Sequence, residues 1–459
     1  MIRILIVVMI VFTCGCKKID NWLDVKNNKS NVMPATLSDY QAILDNTTTL
    51  NSNYPVFGQV ASDNFYIPDQ NIGSLNQDER NLYLFSLTAY QHNTHGAFSS
   101  SYTRIAAVNL VLEGLANGAF PANGDVNNMK GQALFHRSFM FFLLSQLYCK
   151  AYVATTAKED PGIQLRLLSD PNIVTMRSTV QETYDQVIKD LKTAAALMPV
   201  TQLYCTRPSR VAAKALLAKV YLQMQSYDSA ALYAGKTLQE NDSLLDYNSS
   251  IIQPGNTYRF PAYSNIGYNP EVIFYAAGQT YSSIWPAFNV SYVDSLLYRS
   301  YDESDLRKKL LFIQDNQGRA RFTGAYTGTY TQFAGIATNE VYLISAECKA
   351  RKGDVTGALD DLNTLLAKRW DKSAVFTPFT AATEDDALKL VLQERRKELP
   401  FTGQLRWEDL RRLNMDPRFM TTVKHIYNGN VYSLPPNDKR YVLRIPELEV
   451  NINGIPQND

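Results

Sequence analysis

The chain has few groups suited to acid–base or metal chemistry, starting with only four histidines in 459 residues. His92 and His95 stand three apart in sequence rich in Asn and Gly, a spacing open to two ligands of one metal. No clear third ligand lies nearby, so they read as exposed loop histidines. His136 falls inside an apolar helical run and reads as a satisfied core residue. Glu394 and Glu398 form a carboxylate pair one helical turn apart. Flanked by Arg395 and Arg396, both should stay ionised, whereas a general acid needs surroundings that raise its pKa. The pair therefore reads as structural. Other carboxylates are plentiful, but nothing singles out two that would converge as in a glycosidase. The HExxH, GxSxG and GxxxxGK[ST] patterns do not occur in the sequence.

The five cysteines, Cys14, Cys16, Cys149, Cys205 and Cys348, form neither a CxxC pair nor a zinc spacing nor a disulfide framework. Cys348 sits on an apolar stripe and reads as a small buried hydrophobe. A net charge of +1 gives no global attraction to nucleic acid. The run Arg307-Lys308-Lys309, beside Asp302, Glu303 and Asp305, reads as a short solvated stretch. What the composition has in surplus is aromatic: 28 Tyr, 20 Phe and 4 Trp. Tyrosine suits recognition surfaces, because its ring is apolar and its hydroxyl tolerates water.

These residues need elements to hold them, and the pattern is mostly helical. A short helix is expected around Leu37–Leu44, then loops over about 50–95. Ile105, Val108, Leu112 and Leu115 fall at helical spacing, and Ala133 to Tyr148 is apolar enough for full burial. A stripe from Val180 to Leu191 opens with Thr179 and Glu182 in capping-box register and stops at Pro199. Ala215–Leu238 and Leu343–Leu366 align at an offset of 128 residues, pairing Ala218 with Ala346 and Ala230 with Ala358. Each reads as helix, tight turn (Ser226-Tyr227, Gly353-Asp354) and helix, with small residues at the crossing as in a tetratricopeptide hairpin. The repeats are degenerate and interrupted. The expected fold is therefore mainly α: a tetratricopeptide-like helical-hairpin scaffold with a large irregular loop-rich lobe at about 242–337. Val272–Tyr275 is a strand candidate in that lobe. The tail from Asn414 reads as irregular, with a helical fragment near Met420.

Residues 1–15 are an address. Met1-Ile2-Arg3 is followed by apolar Ile4 to Phe12, too short to span a bilayer and suited to a signal peptide. Gly15-Cys16 then resembles a lipoprotein cleavage site, with Cys16 as the lipidated first residue. Removal of Arg3 leaves the mature chain neutral, so lipid would hold it to the membrane without a polybasic patch.

Together these features resemble the SusD/RagB family of outer-membrane nutrient-binding lipoproteins. The densest match is Glu394-Arg395-Arg396-Lys397-Glu398-Leu399-Pro400-Phe401-Thr402-Gly403-Gln404, followed by Arg406-Trp407-Glu408-Asp409-Leu410-Arg411-Arg412. It is similar to the family's "ERR-EL-F-G-R-W-DL-R" signature, and Asp160–Leu165, Ser209–Ala215 and Tyr441–Asn458 fit as well. Read without the family, the signature is an amphipathic helix carrying Arg–Glu pairs, then a helix anchored in the core by Trp407. The resemblance implies one SusD-like domain over 16–459, without enzymatic activity. It also implies a partner, a SusC-like TonB-dependent outer-membrane transporter, to which a captured glycan or other nutrient is passed. A surface glycoside hydrolase and a tetratricopeptide scaffold for a protein partner are the alternatives.

In resembling proteins the ligand is held by loops before the first long helix and by the lobe between the hairpins, here about 64–95 and 263–290. The second holds Tyr263, Tyr268, Tyr281, Trp285 and Phe288 among Gly, Ser and Pro, a composition for exposed rings. A sugar ring stacks the C–H face it presents on an aromatic surface, while amides and guanidinium groups bond its hydroxyls. The expected ligand contacts are Trp285, Tyr281 and Tyr268 from the lobe, with Tyr66, Asn64, Asn76 and Arg80 from the first loop. No metal or cofactor is expected.

Overall fold

A computed structural model describes residues 34–90, 94–118, 120–121, 123–263, 268–284 and 289–458. Cys16 and the signal stretch, His92, Trp285 and Phe288 lie outside the described residues. Helices of eight residues or more are labelled α1 (Leu37–Leu44), α2 (Gly96–Asn117), α3 (Gly124–Tyr148), α4 (Val180–Leu197), α5 (Arg210–Gln223), α6 (Tyr227–Glu240), α7 (Thr338–Arg351), α8 (Val355–Ala367), α9 (Glu384–Glu398) and α10 (Leu405–Leu413).

Local signals start these helices where the sequence places them. Thr36 with Asp39 and Thr179 with Glu182 both close capping boxes, satisfying amide donors at the openings of α1 and α4. α4 stops before Pro199, whose ring cannot continue a helix. α3 is the spine: every residue from Gly131 to Tyr148 is buried. α2 and α4 pack on it, α5 on α4, and the hairpins α5–α6 and α7–α8 follow in sequence with α9 against α7. The two hairpins are equivalent. Ala218, Ala346, Ala230 and Ala358 are all fully buried, so no side-chain bulk separates the crossing helices. The expected tetratricopeptide-like scaffold is thus present, and mainly α is the correct class.

The lobe is more ordered than its composition suggests. Its short antiparallel ladders join β4 (Val272–Phe274) to β8 (Ile336–Ala337) and β6 (Phe312–Gln314) to β7 (Ala320–Phe322). The stretch 50–95, expected as loops, carries a 3-10 turn at Phe57–Ala61 and short helices at Asp69–Ile72 and Gln77–Tyr83. Gly58 is required there. A β-carbon on it would lie 2.5 Å from the Trp407 ring, which is itself fully buried. The helical fragment expected near Met420 is absent. A hairpin takes its place, β9 (Val423–Tyr427) and β10 (Asn430–Leu434), turned by Asn428 and Gly429 at φ 50° and 74°. Asn-Gly is the strongest short hairpin signal in a sequence, and here it outweighs the apolar spacing around Met420.

Several charge assignments also change. The Arg307 side chain is 1% exposed and bonds Asp305, Glu394 (2.6 Å) and Glu398 (3.2 Å), so Arg307 leaves the solvated run, whereas Lys309 stays exposed. Glu394, Arg395, Lys397 and Glu398 are buried as well, so the solvated face of α9 is formed by Glu384, Asp385, Asp386, Lys389 and Gln393 and not by the charges of the signature. The cations facing Glu394 and Glu398 are Arg307, Arg369 and Lys397, not Arg395 and Arg396. Arg395 instead bonds Asp409 at 2.8 Å, and Arg396 reaches residues 63–64. His95 is buried, caps α2 and stacks between Phe57 and Tyr90, and burial pulls its pKa down to about 4. His136 is a core residue, but neither ring nitrogen has a hydrogen-bond partner among the described residues. Cys348 is fully buried as expected.

Candidate functional site

The two expected ligand segments meet. β1 (Phe65–Tyr66) pairs antiparallel with β5 (Tyr292–Val293), placing Tyr66 opposite Tyr292. Cross-bonds fix the junction: Asn71 Nδ2 donates to the carbonyl of Val290 at 3.0 Å, and the amide of Asp294 donates to the carbonyl of Asn64 at 2.9 Å. Glu79, buried at the other end of the first loop, accepts from Ser282 Oγ (3.0 Å) and from the amide of Ser283 (2.6 Å). Residues 285–288 are therefore flanked on both sides by backbone held against the first loop.

The surface so formed carries Tyr66, 38% exposed, with its ring centroid 5.8 Å from that of Tyr292. Arg319 lies 4.0 Å over the Tyr292 ring and is anchored by Asp315, its Nε donating at 2.8 Å. Arg321 donates to the side chain of Asn289. A half-exposed ring beside guanidinium groups and amides offers an apolar face with directional donors around it. Tyr292, just beyond the expected segment, and Arg319, Arg321 and Asn289 were not among the expected contacts. Their only sequence signal was position inside the lobe, since Arg319 and Arg321 reach this segment from the β6–β7 hairpin by long-range contacts that no local pattern reveals.

The other expected contacts have different surroundings. Asn64 is 1% exposed and accepts from Arg396 Nε at 3.0 Å, so it fixes the backbone and does not present its amide. Asn76 is exposed and caps the helix Gln77–Tyr83 through the amide of Glu79, at 2.9 Å. Arg80 is half-buried and bonds Gln77. Tyr281, expected as an exposed ring, is buried against Phe57 at 5.0 Å and donates to Gln279 Oε1 at 2.7 Å; its hydrophobic neighbours outcompete solvent. Tyr268 is partly buried and donates to the carbonyl of Tyr326 at 3.2 Å. Tyr263 is the ring that stays 39% exposed, stacked over Tyr275 at 4.2 Å.

The signature residues stand behind this surface and brace it. Arg406 grips both carboxylate oxygens of Asp63 at 2.6 and 2.7 Å, and Arg396 Nη2 donates to the Asp63 carbonyl at 2.7 Å. Burial alone would raise the pKa of Asp63, but Arg406 and Arg396 hold it well below the usual carboxylate range. Deeper, Arg369 bonds Glu398 (2.8 Å) and Glu271 (2.6 Å), and Tyr326 donates to Glu271 at 2.6 Å. These bonds tie the lobe residues Glu271, Asp305, Arg307 and Tyr326 to α9. Burial raises the pKa of Glu271, while Glu398, though equally buried, is held low by Arg369 and Arg307. Each of these carboxylates is committed to a guanidinium. Among the described residues no group of three or more His, Cys, Asp and Glu is arranged to hold a metal ion.

No helix among the described residues is long and apolar enough to cross a membrane. Residues 21–222 match the sequence profile of a family described as "Starch-binding associating with outer membrane", and residues 324–457 match that of the SusD family. A curated relative, SusD-like protein P2 of Formosa agariphila, is 23% identical over 393 residues, covering 72% of this chain and 74% of its own length. Among solved structures, a putative sugar binding protein from Bacteroides vulgatus superposes with a TM-score of 0.74 at 23% identity, over 93% of this chain and 99% of its own. A SusD superfamily protein from Bacteroides thetaiotaomicron does so with a TM-score of 0.70 at 22% identity, over 93% and 100%. With the signature helix, the interrupted hairpins and the lobe all in family order, this chain belongs to the SusD/RagB family.

Proposed function

We propose that this protein is a cell-surface glycan-binding lipoprotein, anchored through acylated Cys16, that passes its ligand to a SusC-like TonB-dependent transporter in the outer membrane. The observation that carries the binding role is the junction of the two loops at Tyr66 and Tyr292, with Arg319 over one ring. A sugar would stack on the exposed Tyr66 face, with Arg319 and Arg321 as neighbouring donors. Trp285, the larger ring expected from the sequence of the neighbouring segment, is the second candidate for stacking. The residues described at this surface supply contacts and no paired acid and base, which suits capture without turnover. Relatives described as carbohydrate-binding or starch-binding support the same ligand class.

The test is binding of maltoheptaose and a panel of neutral plant and algal oligosaccharides to wild type, Tyr66→Ala and Trp285→Ala. Loss of one stacking ring should cost about 1–3 kcal/mol of affinity while the melting temperature barely moves. Affinity untouched in both variants would refute the site. The partner is tested separately: protein solubilised gently from its own membrane should co-purify with a large β-barrel, and Cys16→Ser should release it from the membrane fraction. Migration as a lone monomer, or unchanged retention, would count against the assembly.

A further inference from the structure

A cleft of about 650 Å³ lies away from the Tyr66 surface, sharing no residue with it. Its walls are the turn that follows α3, the C-terminal end of α10 and the stretch 437–442, closed by Gln457 and Asn458. That volume falls within the range of pockets that take small ligands. Its lining includes the apolar side chains of Val153, Met415 and Val442. Of the charged groups that line the cleft, the two carboxylates are already paired, and Lys439 lies exposed at the rim. Lys150 pairs with Asp160 at 2.7 Å, and Asp438 with Arg440 at 2.8 Å. Arg411, 3% exposed, spends its guanidinium on the carbonyls of Gln146 and Cys149 at the end of α3. There the helix terminus supplies partial negative charge in place of a carboxylate.

The carboxylates of the wall are thus paired, while Lys439 at the rim keeps a positive charge that solvent screens. Hydrogen-bonding capacity is nevertheless left over. Lys150 has further N–H groups, and Asp160 and Asp438 keep lone pairs beyond their salt bridges. Asn437 donates its Nδ2 to the carbonyl of Asn414 at 3.0 Å, which leaves its side-chain oxygen to accept. Donors and acceptors are thus both present beside apolar side chains. That pattern matches a molecule with hydroxyls that both give and take hydrogen bonds and a ring face of C–H groups.

We propose that this cleft is a second saccharide site, taking a short neutral oligosaccharide. The inference rests on the glycan-binding reading above for its ligand class, but uses none of its residues. The experiment is saturation-transfer NMR and titration of the full chain with maltotriose, xylotriose, mannotriose and, as a charged control, trigalacturonate, each at about 10 mM so that millimolar affinities are visible. At least one neutral trisaccharide should bind. Ala151→Trp, which fills the cleft, should weaken that binding by about tenfold or more, while Tyr66→Ala leaves it unchanged. Lys439→Ala, an exposed substitution at the rim, should weaken it several-fold and serves if Ala151→Trp proves unstable by its melting curve. The proposal is overturned if no neutral trisaccharide binds, if both cleft variants bind like wild type, or if trigalacturonate binds as tightly as the best neutral sugar. Binding abolished by Tyr66→Ala alone would also overturn it and leave the Tyr66 site standing. Maltoheptaose binding indifferent to Tyr66→Ala, with trisaccharide binding still lost in Ala151→Trp, would sink only the Tyr66 reading.

Discussion

Gln225 and Gly353 occupy the same place in two helical hairpins 128 residues apart, and both turn the chain through left-handed backbone, at φ 58° and 80°. Each precedes the N-cap of the second helix, Ser226 in one hairpin and Asp354 in the other. Only one copy has the residue that adopts this conformation without a β-carbon penalty. The shared geometry in chemically different residues indicates that the hairpin dictates the turn and the residue tolerates it.

Substitution at these two positions should therefore be asymmetric. Gly353→Gln should cost about 1–2 kcal/mol, from the left-handed conformation and from the Glu384 carboxylate lying 3.0 Å from the added carbon. Gln225→Gly should be neutral or gain up to about 1 kcal/mol, with strain relief set against greater unfolded-chain entropy. Chemical denaturation of the two variants measures both. Equal losses at the two sites would show that the side chain of Gln225 contributes more than its backbone strain costs.

Much of the scaffold was legible because its signals are local. Thr179 with Glu182, the stop at Pro199 and the paired alanines of the hairpins act within a few residues of themselves. The misreadings have the opposite character. Arg307 looked solvated because its neighbours Asp302 and Glu303 are acidic, whereas its partners Glu394 and Glu398 come from 87 and 91 residues away. Tyr281 and Tyr263 share a segment and a composition, and only the packing of Phe57 and Tyr275 separates the buried ring from the exposed one. At the candidate site, the two segments were readable as composition, but the pairing of Tyr66 with Tyr292 is a long-range contact. The hairpin at Asn428-Gly429 is a different case, since its signal, the Asn-Gly pair, is local and stands in plain sequence.

The lobe should depend on Arg369. Its side chain is fully buried between Glu271 and Glu398, one from the lobe and one from α9. Arg369→Met would leave the buried Glu271 without its cation and Glu398 with Arg307 alone, at a cost of about 3–5 kcal/mol. Arg369→Lys should recover only part of this, because an ammonium cannot span both carboxylates in the guanidinium's planar geometry. Urea unfolding of the three proteins gives the order. A methionine variant as stable as wild type would mean that the network is dispensable for holding the lobe.

Acid should weaken the brace at Asp63. Its folded pKa lies below the ordinary 3.8, because Arg406 and Arg396 overcome the opposing effect of burial. A carboxylate with a depressed folded pKa stabilises the fold at pH values above its unfolded pKa, and that contribution is lost as pH falls from there toward the folded value. The stability difference between wild type and Asp63→Asn should thus be constant above pH about 5 and shrink below pH about 4. Denaturation midpoints across that interval provide the readout. A difference that does not change with pH would place the benefit of Asp63 in its shape and not in its charge.

The same brace links the family signature to ligand binding. Arg396 holds the Asn64 side chain and the Asp63 carbonyl, the two residues that lead into β1 and set the position of Tyr66. It sits behind the surface, so its influence on a sugar must pass through that strand. Arg396→Ala should lower maltoheptaose affinity several-fold, and Arg396→Lys should restore little, because one ammonium cannot make both bonds in the same geometry. In combination with Tyr66→Ala the further loss should vanish, since a residue that acts by positioning a ring has nothing left to position. Additive losses in the double variant would instead mean that Arg396 acts on the ligand by a route independent of Tyr66.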